Sequence, residues 1–211
     1  MKKAFVTTLL ATMVATSAQA YQAGDMVLRA GAAGVLPTDD GTIVPGGNVE
    51  ADDGWSLGIT FTYMATNNLG VGVLAAWPFE HDVDGKGALA GLGTLAEAKH
   101  LPPTVTLQYH FDSGTKVHPF VGLGVNYTNF IDVDETSSMA GDSLDLDDSW
   151  GLALEAGVDY ELDNGWSVGG QVWYLDIDTD ATISGGNLGV DGTYNVGIDP
   201  WVVMLGVGKK F

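Results

Sequence analysis

The stretch WGLALEAGVDY, residues 150–160, alternates without a break. Trp150, Leu152, Leu154, Ala156, Val158 and Tyr160 share one parity, and Gly151, Ala153, Glu155, Gly157 and Asp159 share the other. Successive side chains of a strand point to opposite faces, so one face here is wholly apolar and the other small or charged. An aromatic residue closes each end of the apolar face. About ten residues at roughly 3.3 Å each, tilted by about 40°, rise about 25 Å, the height of the lipid-facing band of an outer-membrane barrel. A soluble sandwich strand also alternates, but it rarely carries interfacial aromatics at both ends of its apolar face. This strand therefore favours a transmembrane β-structure.

The start of the chain sets the compartment. Lys2 and Lys3 precede an apolar run from Ala4 to Ala15, and Ala18-Gln19-Ala20 supplies small residues for cleavage. This is the pattern of a secretory signal peptide, too short for a spanning helix, and the mature chain is expected to begin at Tyr21. Elsewhere no apolar run approaches the length of a transmembrane helix. The chain has no cysteine. An exported domain without disulfides must hold itself together by packing or by closed backbone pairing.

The period of two recurs in Met26–Leu36, Trp55–Met64, Leu69–Pro78, Thr104–Phe111, Val117–Thr128, Trp166–Leu175 and Trp201–Phe211. With 150–160 these predict eight strands, an even number. Short connections rich in turn formers (Asn67-Asn68, Asp112-Ser113-Gly114, Asp163-Asn164-Gly165) alternate strictly with long ones near 38–53, 80–103, 131–148 and 176–199. Outer-membrane barrels are built this way, with short periplasmic turns, long outside loops and both termini in the periplasm. Most of the 27 acidic residues fall in the four long segments. They read as solvated, mobile acidic surface, and such a surface repels nucleic-acid phosphates.

Other constellations fail on inspection. Asp176, Asp178 and Asp180 mimic the start of a calcium loop, but the sixth position is Ala181 and the twelfth is not glutamate. His81, His100, His110 and His118 show no metal-ligand spacing, and His110 reads as a hydrogen-bonding residue of the lumen. No serine sits in a nucleophile-like context, so no catalytic residue, metal or cofactor is expected. The 30 glycines show no phosphate-loop spacing and read as thin, crowded barrel wall.

A family resemblance follows from LGITFTYMATNNLGV (57–71), HLPPT (100–104), PFVGLGVNYT (119–128), DSWG (148–151), GVDY (157–160), WYLDID (173–178) and DPWV (199–202). Together these stretches resemble the OmpW family of outer-membrane proteins across nearly the whole mature chain. Phe211 resembles the terminal aromatic read by the barrel-assembly machinery; Lys209 departs from it, since that position usually carries an apolar or aromatic residue. The resemblance implies an eight-stranded antiparallel barrel whose narrow lumen passes small hydrophobic compounds, as in the related AlkL-type alkane-uptake proteins. It also implies that Leu74 and Trp173 constrict that lumen.

Residue parity supports the same placement. In Trp166–Leu175 the lipid face is Trp166, Val168, Gly170, Val172 and Tyr174, which leaves Trp173 and Leu175 pointing inward near the outer end. Val35, Leu74, Ala76, Val202 and Met204 share that parity and height. Toward the periplasm, Arg29, Glu155, Asp159 and Lys210 project inward and are expected to pair as a salt-bridged plug. Eight strands leave an interior that side chains nearly fill. A hydrophobe entering an apolar outer funnel would then find the axial route blocked by charge and leave sideways into the bilayer. Pro78, Pro102 and Pro103, at the outer ends of two strands, cannot donate ladder hydrogen bonds and mark a weak place in the wall. Two other readings compete with this passive channel. One is a structural or receptor barrel with an inert lumen. The other, a secreted lipocalin-like carrier, requires a polar outer face, whereas here the outer face is the apolar one.

Overall fold

A computed structural model describes residues 21–211 apart from 39–40, 45–46, 186–188 and 190; the expected leader lies outside the described residues. In chain order the strands are β1 (Met26–Leu36), β2 (Gly41–Val44), β3 (Gly47–Ala51), β4 (Gly54–Met64), β5 (Leu69–Ala76), β6 (Phe79–Gly87), β7 (Thr94–Leu101) and β8 (Thr104–His110). They continue as β9 (Val117–Glu135), β10 (Ser143–Leu146), β11 (Ser149–Glu161), β12 (Trp166–Leu175), β13 (Asp178–Ser184), β14 (Gly192–Gly197) and β15 (Trp201–Lys210).

Eight of these close a barrel in the order β1-β4-β5-β8-β9-β11-β12-β15, each antiparallel to its neighbours, with β15 returning to β1. They are the eight strands that the alternation predicts, with small shifts at their ends. Closure pairs the backbone all round, which a sheet lying in lipid requires because no water is present to satisfy an open edge. The sidedness is that of a membrane barrel. On β11, Leu152 and Leu154 are 60% and 54% exposed, whereas Ala153 and Glu155 between and beside them are 0% and 5% exposed. Trp55, Trp150 and Trp201 stand exposed on the outer face toward the loop end, and Tyr63, Tyr160 and Trp166 toward the short-turn end.

The long connections differ from expectation. Instead of mobile surface they carry strands. β9 continues past Thr128 to Glu135 and pairs with β7, and β7, β6, β3 and β2 extend the barrel sheet beyond the outer aromatic ring. β10, β13 and β14 form a separate three-stranded sheet. On β6 and β13 the acidic residues that suggest solvated loops keep to one parity. On β13, Thr179, Ala181 and Ile183 are buried between exposed Asp178, Asp180, Thr182 and Ser184; on β6, Phe79 and His81 are buried beside exposed Glu80 and Asp82. High charge hides a buried face whenever the charge keeps to the other parity.

Candidate functional site

The barrel interior is tiered. Nearest the short turns lies a polar septum built from inward side chains of five strands. Arg29 (β1) donates from Nε to both oxygens of Asp159 (β11) at 3.1 Å, and from Nη2 to Oδ2 at 2.5 Å. Its Nη1 reaches Thr62 Oγ1 (β4) at 3.0 Å. Tyr21, just ahead of β1, donates its hydroxyl to Asp159 Oδ2 at 2.9 Å. Glu155 accepts from Thr106 Oγ1 at 2.5 Å, from Gln108 Nε2 at 2.9 and 3.0 Å, and from Gln171 Nε2 (β12) at 3.1 Å. Thr62 and Thr60 then donate to the amide oxygens of Gln108 and Gln171, each at 3.1 Å. Five of the eight barrel strands are thereby tied across the lumen, and the guanidinium meets a carboxylate in fork geometry. The wall makes room for this: a Cβ at Gly72 would lie 2.1 Å from Gln108 Nε2.

The expected salt-bridged plug is thus one ion pair, with Glu155 held by neutral donors. Lys210 stands apart from it. Its ammonium lies 3.9 Å from Asp25 and over the Tyr21 ring at 5.8 Å, at the rim. Lys210 is the last residue of β15, where the lumen opens to solvent, so its long chain turns to the rim carboxylate. Lys209 is accommodated outside, over the Trp166 ring at 5.4 Å and donating to the Asn164 carbonyl. Phe211 is exposed, and its backbone pairs with Met26. His110 Nε2 donates to Gln108 Oε1 across 3.1 Å, a lumenal hydrogen bond.

Above the septum the lumen is apolar. Val35, Leu74, Trp173, Leu175, Val202 and Met204 form one buried cluster with Ala33, Phe79, Ala153 and Ile177, and Ala76 packs against it. Leu74 and Trp173 are 3% and 2% exposed. All the inward apolar residues expected from parity are therefore brought together in one layer. Trp173 is supplied by β12 and Leu74 by β5.

The third tier was not legible in the sequence. Between the two extramembrane sheets lies a cavity of about 100 Å³. By the volume one water needs, it has room for about seven to ten waters. Its walls come from every long connection: Val49 from β3, Leu95 from β7, Met139 between β9 and β10, Ile183 from β13 and Val196 from β14. Val35, Ile177 and Ile198 line the cavity while belonging to, or packing on, the Leu74–Trp173 layer, so the two apolar tiers are continuous.

Among the polar residues of the chamber wall is a pair of histidines joined by the β6–β7 hairpin. His81 Nε2 lies 2.9 Å from His100 Nε2, and His81 Nδ1 lies 2.5 Å from the Asp52 carbonyl. The two rings stack at 4.9 Å, and His100 also stacks on Phe79 at 5.8 Å. Burial pushes His100 down to about 3 from the usual 6.5, and burial also lowers His81, so both imidazoles are neutral. Nineteen residues separate them; only the cross-strand register makes them neighbours.

Comparison with known proteins places this architecture. The sequence model of the OmpW family matches residues 22–211. Outer membrane protein W of Salmonella typhimurium is 46% identical over 218 aligned residues, covering all of both chains. A Pseudomonas aeruginosa protein, the dibenzothiophene metabolism operon protein PahQ, is 31% identical over 82% of this chain and 79% of its own length. The crystal structure of the outer membrane protein OprG from Pseudomonas aeruginosa superposes with a TM-score of 0.85 at 44% identity, covering 92% of this chain and 98% of the other.

Proposed function

Since the chain belongs to the OmpW family of outer-membrane proteins, we propose that it is a passive conduit for small hydrophobic molecules. A hydrophobe enters the extracellular chamber, descends to the layer of Leu74 and Trp173, and leaves sideways into the bilayer. The observation that carries this reading is the continuity of two apolar tiers above a closed polar septum. Passing through the septum would require an apolar solute to break the Arg29–Asp159 pair and the bonds to Glu155 without replacing them, and unpaired buried charge is costly. Lipid on the far side of the wall accepts the same solute at no such cost. The PahQ relative is named for an operon that handles an apolar heterocycle, which accords with a hydrophobic cargo.

The side exit lies between β5 and β8. Their ladder ends at Leu74 opposite Thr104. Beyond it stand Pro102 and Pro103 on one side and Pro78 on the other; the Pro103 carbonyl is already engaged by Tyr127 N at 3.0 Å. The gap in pairing thus opens at the height of the constriction. No cofactor or energy source enters this scheme. In assembly, the leader before Tyr21 is removed, and Phe211 supplies the aromatic terminus for the barrel-assembly machinery.

A second reading has its own observation. Leu74 and Trp173 are almost fully buried, which also suits a filled, inert lumen in a structural or receptor barrel. Uptake of a hydrophobic fluorophore into liposomes separates the two. The conduit speeds it relative to empty liposomes and leaves a polar dye of similar size excluded. Equal rates with and without protein leave the inert barrel.

A further inference from the structure

We propose, resting on the conduit reading, that the extracellular chamber selects hydrophobes carrying one hydrogen-bond donor, a hydroxyl or N–H, and that His100 Nδ1 is the acceptor they meet. The hydrogen-bond inventory of the two imidazoles leads there. The Asp52 carbonyl can only accept, so His81 Nδ1 carries the proton in the 2.5 Å contact. A neutral imidazole has one N–H, which leaves His81 Nε2 as an acceptor. His100 Nε2, 2.9 Å away, must then be the donor. His100 Nδ1 is left with a bare lone pair, buried and without a hydrogen-bond partner among the described residues.

A second protonation would remove that lone pair, but the site resists it. A proton added to His81 would set two Nε2 donors against each other at 2.9 Å, and one added to His100 Nδ1 would place a charge in an apolar surround. Phe79 and Phe130 flank His100 at 5.8 and 5.9 Å and offer it no counter-charge. Asp52 and Asp53 bear on His81 only, and burial outweighs them.

The rest of the chamber sharpens the selection. The wall hydroxyls already donate elsewhere: Thr128 to Asn126 Oδ1 at 2.8 Å and Thr179 to the Asp147 carbonyl at 2.6 Å. Apart from these the lining is aliphatic or aromatic. A solute therefore meets apolar surface and one unmatched acceptor. Ethers and hydrocarbons leave that acceptor unpaired, a carboxylate is repelled by it, and an alcohol, phenol or indole-type N–H satisfies it. Nδ1 is covered by its own wall, so seating a donor on it takes a side-chain displacement of rotamer size.

The test uses the full barrel in nanodiscs with two matched probes, 2-naphthol and 2-methoxynaphthalene, whose binding is corrected for partition into protein-free nanodiscs. The expected result is a preference for 2-naphthol of about three- to ten-fold, the factor that one neutral hydrogen bond supplies. His100→Phe alone would bare His81 Nε2, so the variant is His81→Phe/His100→Phe, which removes both imidazole acceptors and should bring the ratio of the two corrected affinities to one. Equal corrected affinities in the parent, or a preference that survives the double variant, overturns the inference. If neither probe binds the parent, the conduit reading itself fails. Nitrogen-15 NMR of parental His100 needs no variant. Nδ1 should resonate as a bare imidazole nitrogen and shift with 2-naphthol alone; a protonated Nδ1 in the free protein overturns the assignment even if the double variant does not fold.

Discussion

Leu74→Asp is the sharpest perturbation of the apolar layer. Leu74 is 3% exposed, packs in the layer with Trp173 and Met204, and lies opposite Thr60 on β4 and Thr104 on β8. Removing the leucine from this layer costs about 2–5 kcal/mol in lost burial and cavity formation. A carboxylate placed there has no cation beside it, because Arg29 is already committed to Asp159 in the tier below. The effective penalty for an unpaired buried ion is several kcal/mol, which the site reduces by drawing in water. A wetted, charged layer then stands where the hydrophobe must rest. Even about 2 kcal/mol added to that step slows passage by about thirty-fold. The lipid face and the closed ladder are untouched, so the barrel still folds. The assay is uptake of a hydrophobic fluorophore into liposomes bearing each variant, with folded protein matched by the heat-dependent gel shift. Leu74→Met, which conserves volume and polarity, should transport like the parent. Parental rates for Leu74→Asp would refute a lumenal path and leave the structural or receptor barrel in place.

Three further outcomes are expected. A disulfide joining Ala76→Cys to Pro102→Cys, verified by mass, should slow uptake without lowering the unfolding midpoint; unchanged flux would move the exit away from β5–β8. Arg29→Met strands Asp159 on the Tyr21 hydroxyl and should destabilise the barrel by about 3–5 kcal/mol in urea, with Arg29→Met/Asp159→Leu recovering most of the loss; a double variant as weak as the single one would show that the pair is not an isolated unit. Acidification should loosen the extramembrane sheet. Folding holds His100 at about 3 against 6.5 when unfolded, so the unfolded segment binds more protons between those values and stability falls as pH drops from about 6.5 toward 3. Protection factors of β6 and β7 amides, corrected for the pH dependence of intrinsic exchange, should fall over that window and not above it, and His100→Phe should flatten the response.

The eight barrel strands, their lipid faces and the inward parity of Leu74, Trp173, Arg29 and Asp159 were all legible in the chain. Strand sidedness is a local property with a period of two, and it survives without knowledge of any partner. So was the division of the lumen into an apolar outer and a polar inner half. What pairs with what was not. Lys210 and Glu155 shared a parity with the ion pair, yet cross-barrel geometry gave Lys210 to Asp25 and gave Glu155 to Thr106, Gln108 and Gln171. The chamber lay deeper still. Val49, Leu95, Met139 and Ile183 come one from each distant segment, and no window of sequence shows them as a surface. The His81–His100 contact exists only because β6 and β7 pair in a particular register. Local alternation determines a wall. Which side chains meet across it depends on long-range pairing, and only the closed tertiary structure decides that.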